Sequence, residues 1–158
     1  MVTTSIHIKP HLAQYIIGKY GCGDGKPVRF PDNLDLYHTI WDLMDKRPDN
    51  NPVDGGNLAI VLPKREAGKN PHTYNYISDR SRGIIERKIE IAMRAELHEL
   101  LDEQKHRHGV QYIDTVHAFK LKYCITGISD DGLLKEHYRW REKIRKKKEK
   151  RKYTVPKN

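Results

Sequence analysis

The sequence predicts an α+β protein, a small mixed N-terminal unit followed by a three-helix C-terminal unit, and three observations lead there. Short apolar runs of strand length are confined to the first 62 residues, a four-residue apolar spacing is sustained from Ile85 to Leu101, and the net charge is concentrated after residue 134. At 158 residues, 37% of them apolar, the chain supports one domain or two small ones and excludes a very large core.

Ser5–Lys9 alternates Ile6 and Ile8 with polar residues, the period of a strand. Pro10–Tyr20 then carries Leu12, Tyr15, Ile16 and Lys19 at helical spacing. The glycine cluster Gly21–Gly25 supplies turn geometry, and Pro27–Pro31 reads as a short edge strand closed by proline. No GK[ST] follows those glycines and no long apolar strand precedes them, so a turn is favoured over a phosphate-binding loop. Asp32 or Asn33 is placed to cap a helix with Leu36, Tyr37, Ile40, Trp41 and Met44 on one face, Trp41 in the core, ending before Pro48. A turn-rich run over residues 46–57 leads into the apolar strand Leu58–Leu62, which closes an α+β unit over 1–62.

Residues 63–77 are poor in apolar side chains and mix Lys64, Arg65, Lys69 and His72 with Tyr74 and Tyr76, the composition of a linker or an extended contact loop, and the domain boundary is placed there. Ser78 or Asp79 then caps the longest helix, whose Ile85, Ile89, Met93, Leu97 and Leu101 form one apolar stripe and which closes at Gly109. Its other positions alternate in charge and mark a scaffold. A second helix over Tyr112–Tyr123 turns Ile113, Val116, Phe119 and Tyr123 inward. A third begins near Asp131, packs through Leu133, His137, Trp140 and Ile144, and completes a helical unit over 78–145. The low-complexity segment Lys146–Lys152 is expected to fray without a partner, at the head of a basic tail over 146–158.

Composition excludes several function classes. No run of about 18 apolar residues exists and Met1–Lys9 lacks the charged and apolar segments of a signal peptide, so the expectation is a cytoplasmic chain without membrane contact. Cys22 and Cys124 are far apart and neither belongs to a CxxC, so both read as buried reduced thiols. Glu103 and His106 have the spacing of a carboxylate–histidine metal motif, but only one copy occurs, and a surface charge cluster accounts for it. GxSxG and HExxH are absent, and His137–Arg141 is one compact group rather than the dispersed constellation of a DNA-cleaving recombinase. No enzyme, cofactor or small-molecule substrate is expected.

The charge carries the functional signal. Residues 1–134 hold 18 Lys/Arg and 18 Asp/Glu, whereas 135–152 hold eleven Lys/Arg against three Glu, which with Lys157 gives the net +9. Such a footprint suits a polyanion, because each phosphate neutralised by Lys or Arg releases condensed counterions. The order of long helix, shorter helix, turn and basic helix fits a helix-turn-helix reading duplex DNA, although residues 124–130 exceed its roughly three- or four-residue turn. Lys135, Arg139, Arg141 and Lys143 would then face nucleic acid, Arg139 being the candidate for a bidentate bond to guanine. Arg145, Lys146, Lys147, Lys148, Lys150, Arg151 and Lys152 would grip phosphates. Lys64, Arg65 and Lys69, interleaved with tyrosines, form a second candidate zone. RNA is the alternative partner, and an acidic protein docking on the basic tail, as in a phage particle, is an alternative of another class. The neutral N-terminal unit suits homodimerisation or the binding of another partner.

Asn57–Pro63, Tyr74–Ile77, Glu96–His98 and Tyr138–Arg141 together resemble small basic proteins encoded by phages and mobile elements of gut Bacteroidetes. The resemblance implies a mobile-element setting only and brings no catalytic residues with it; the role expected from the basic helix is that of a DNA-binding regulator or accessory factor.

Overall fold

The structure, a computed structural model, describes residues 1–23, 25–49 and 55–153, and the side chains of these except residues 152 and 153. The turn-rich run 46–57, the glycine cluster and the basic tail fall partly outside the described residues. The fold is α+β and mostly helical. Its elements in chain order are β1 (Thr3–Ile6), α1 (Pro10–Tyr20), α2 (Asp35–Leu43), β2 (Leu58–Val61), α3 (Asp79–His108), α4 (Tyr112–Lys122) and α5 (Asp130–Tyr153).

β1 and β2 pair antiparallel, with Thr3 opposite Val61 and Ile6 opposite Leu58. The first strand lies two to three residues earlier than the alternation of Ile6 and Ile8 predicts. Ile8 is buried as expected, but its backbone N–H donates to Asn57 Oδ1 at 3.0 Å and its carbonyl accepts from Asn57 Nδ2 at 2.6 Å, so a side-chain amide replaces the next rung of the ladder. The expected strand around Val28 is reduced to one parallel bridge with Ile60. Val28 donates to Ala59 and accepts from Val61, which leaves its side chain and Phe30 in the core.

α1 starts at a proline, where the missing N–H costs nothing, and buries Leu12, Ala13, Tyr15 and Ile16. Gly18 lets it approach the end of α4 closely, since a Cβ there would lie 2.6 Å from the Tyr123 carbonyl oxygen. α2 begins after Leu34 without a side-chain cap, so neither Asp32 nor Asn33 plays the expected part. Trp41, expected in the core, is half-buried against it. In α3 the Ser78 hydroxyl accepts from the Ser81 N–H at 3.2 Å, and Gly109 ends the helix at φ 64°, the left-handed conformation a side chain disfavours.

α4 packs against both α3 and α5, burying Thr115, Val116 and Phe119, while Ile113, expected inward, is exposed. Ser129 caps α5 by accepting from the Gly132 N–H at 3.0 Å. The 123–129 connection is fastened to α1 by Gln14, whose Oε1 accepts from the N–H groups of Thr126 and Gly127, both at 2.8 Å, and whose Nε2 donates to the Thr126 hydroxyl at 2.8 Å. Both cysteines are exposed, which corrects the expectation of buried thiols. Cys124 sits at φ 54° where the chain turns away from α4, a position that points its side chain outward.

One cluster of buried apolar side chains runs from Ile6 through Leu62 and Ile77 to Leu133, so the N-terminal elements and the three later helices share a core. Residues 63–77 lie on α2 and do not bridge open space. Tyr37 donates to the Lys64 carbonyl at 2.9 Å, and Asp45 and Tyr76 exchange backbone hydrogen bonds. No helix among the described residues is long and apolar enough to cross a membrane.

Candidate nucleic-acid interface

α5 is built with two unlike faces. Leu133 and His137 are fully buried and Ile144 is half-buried, which seats the first fourteen or so residues of the helix on the body. Residues 145–151 are all exposed, and the helix continues to Tyr153, so the segment expected to fray is helical. At about 100° per residue, Lys135, Arg139, Lys143, Lys146 and Lys150 fall within an arc of roughly 80°, along a length of about 22 Å. They lie opposite the packed face and form one cationic stripe.

Several basic residues of the body are held by carboxylates. In the body, Lys9 pairs with Glu90 at 3.2 Å, Lys19 with Glu96 at 2.7 Å, Lys88 with Asp35 at 2.6 Å, Lys120 with Asp130 at 2.7 Å, and Arg94 with Glu90 and Glu136 at 2.9 and 3.2 Å. Among the described residues of α5, Lys135, Arg139, Lys143, Lys147 and Lys148 have neither ion pair nor hydrogen bond. Glu142 partly neutralises Arg145 at 4.0 Å and Lys146 at 3.4 Å. Exposed pairs of this kind contribute little stability, but they decide which cations remain available to an external anion.

Arg141 belongs to a different environment from its neighbours. Its guanidinium reaches back to the Tyr112 hydroxyl and lies 4.0 Å from Asp102, so it fastens α5 to α3 and α4. Arg65 lies over the Trp41 ring at 4.1 Å, and Lys69 donates to the Trp41 and Asp42 carbonyls at 3.3 and 2.5 Å, closing the end of α2. Of the three expected loop contacts, Lys64 alone keeps an unpaired side chain among the described residues. The side chain of Lys152 lies outside the described set.

At the root of α5 is a cluster that no local pattern in the sequence brings together. His98 of α3 and His137 of α5 are buried, with their Nδ1 atoms 2.8 Å apart, so one ring donates and the other accepts. His137 Nε2 has no hydrogen-bond partner among the described residues and lies 3.8 Å from Asp102 Oδ1. Trp140 stacks on His98 with centroids 4.1 Å apart and planes 10° from parallel, and Tyr112 meets His137 edge-on. Burial holds His98 down at about 4, reinforced by neighbouring His137. Burial also lowers His137, against the pull of Asp102. The only signals in the sequence were the places of His98 beside Leu97 and of His137 between Leu133 and Trp140 on apolar faces.

No group of three His, Cys, Asp or Glu side chains among the described residues is arranged to hold a metal. Seven residues, 123–129, separate α4 from α5, more than the roughly three or four of a tight helix-turn-helix. Comparison with protein-family models, curated proteins and solved structures finds no match for this chain.

Proposed function

We propose that this protein binds nucleic acid, duplex DNA foremost, by laying the cationic stripe of α5 along phosphates, as a regulator or accessory factor of a mobile element. The observation that carries the reading is the concentration of unpaired cations on one anchored helix. Among the described residues, Lys135, Arg139, Lys143, Lys147 and Lys148 lie exposed and without an ion pair on a helix anchored by a buried face, in a segment where residues 135–152 hold eleven Lys/Arg against three Glu. An anchored helix loses less freedom on binding than a coil of equal charge, so more of the counterion-release free energy appears as affinity.

The test is the affinity for a mixed-sequence duplex across a salt series, for the full chain and for a chain ending at Ile144. Truncation there retains the buried and half-buried residues of α5 among those described and removes the seven cations of residues 145–152, an arginine or lysine at each of 145–148 and 150–152. The full chain is expected to show a steep slope of log K against log salt, and truncation to flatten it by about 0.9 for each phosphate that the shortened helix no longer neutralises. Equal slopes for the two proteins, or no binding at low salt, would refute the reading. A duplex RNA of the same sequence serves as competitor, and its preferential binding would move the assignment to RNA.

A further inference from the structure

On the inner side of α5, facing away from the cationic stripe, a cleft is lined by Asp102, Trp140, Arg141, Glu142, Ile144, Arg145 and Lys148. We propose that this cleft receives an unpaired nucleotide next to the duplex, its base stacked on Trp140 and its phosphate held by Arg145 and Lys148. The proposal rests on the nucleic-acid reading of α5 and deepens it, making the preferred substrate a duplex with a single-stranded extension.

Three observations support it. The first is the orientation of Trp140, which has one ring face laid against His98 at 4.1 Å, while the residue keeps 36% of its surface exposed and borders the cleft. His98 is fixed in turn by its bond to His137, so the indole is held in place before any base arrives. A stacking platform ordered in advance avoids the cost of freezing a side chain on binding.

The second is charge. Lys148 has no partner among the described residues, and Arg145 is only 4.0 Å from Glu142, which leans more closely on Lys146. Of the two carboxylates of the cleft, Glu142 is engaged by Lys146 at 3.4 Å, and Asp102 lies 4.0 Å from Arg141 and 3.8 Å from His137. The third is shape, since Trp140 and Ile144 give the cleft an apolar wall beside its cations, the combination a nucleotide presents in reverse. Duplex DNA keeps its bases stacked and cannot supply that ring, whereas an overhang can.

The full-length chain carrying Trp41→Phe has Trp140 as its only tryptophan, so its fluorescence reports the cleft directly. It is titrated with a duplex of about 15 base pairs, either blunt or carrying about three unpaired thymidines at one end. The expected result is quenching by the overhang duplex and not by the blunt one, with the overhang duplex bound roughly tenfold more tightly, the size of one stacked base. In the Trp41-containing chain, Trp140→Ala should abolish the overhang preference and leave blunt-duplex affinity unchanged. Should that variant fail to fold by circular dichroism, the quenching comparison and Trp140→Phe, which retains a ring, decide the matter. Equal affinity for both duplexes without quenching would overturn the cleft while leaving the cationic stripe intact. Binding of neither would remove both.

Discussion

Glu96 shows how one carboxylate joins three parts of the chain. It accepts hydrogen bonds from Tyr15, at 2.5 Å, and from Tyr123, and pairs with Lys19 at 2.7 Å. Burial alone would raise its pKa, but these three donors outweigh that and hold the carboxyl below its ordinary value, while burial and the same bonds push both tyrosines up. Glu96→Gln leaves at least one tyrosine without its acceptor and Lys19 without its ion pair, and should cost about 1–3 kcal/mol in urea denaturation. The pH dependence has three windows. His98 and His137 are depressed when folded, so the unfolded chain takes up protons first; stability falls as pH drops below 6.5, and His98 contributes to that fall down to about 4, by up to about 1.4 kcal/mol per unit. Glu96 contributes stability above its unfolded value of 4.5 that is lost below it, as pH falls through the lowered folded value. The raised tyrosines contribute fully below pH 10 and lose that contribution above it. Denaturation of His98→Gln between pH 4.5 and 7 should show a flatter slope than the parent; an unchanged slope would remove the histidine pair as the cause.

Helices were more legible than strands, because their signals are local. Pro10 opens α1, Ser78 and Gly109 bound α3, and the apolar periods of α3 and α4 coincide with their buried faces, apart from Ile113. The strand register depended on Asn57, a residue 49 positions from the backbone it completes, and no local pattern encodes that. The cationic surface of α5 was legible from charge alone, but its division into an outward stripe, an anchoring Arg141 and a cleft around Trp140 was not. That division depends on where α3 and α4 lie, and so on interactions such as His98 with His137 across 39 residues. Gly18 is a comparable case: its helical position suggests a weak spot, since glycine costs about 1 kcal/mol in a helix. The closeness of the Tyr123 backbone reverses that expectation, and Gly18→Ala should destabilise the protein by about 1–3 kcal/mol, since backbone cannot move aside as a flexible side chain can. A gain in thermal midpoint would show that α1 shifts freely against α4.

At the scale of the molecule, the even charge of residues 1–134 and the surplus after them divide the protein into a neutral body and a charged projecting helix. The core does not divide in the same way. Tyr15 packs on Phe119 and Tyr123 at centroid distances of 6.1 and 5.1 Å, and Gln14 holds the backbone of residues 126 and 127. A fragment of residues 1–77 should therefore lack cooperative unfolding and dispersed amide signals by NMR; a folded fragment would show that its strands and first two helices suffice. The Gln14 clasp also has a consequence for biosynthesis. At about 5–20 residues per second, a ribosome releases Thr126 on the order of 10 s after Gln14. Through that interval α1 has made its apolar face but not met the rings that cover it, so the nascent chain is most exposed to aggregation and chaperone capture before α4 emerges.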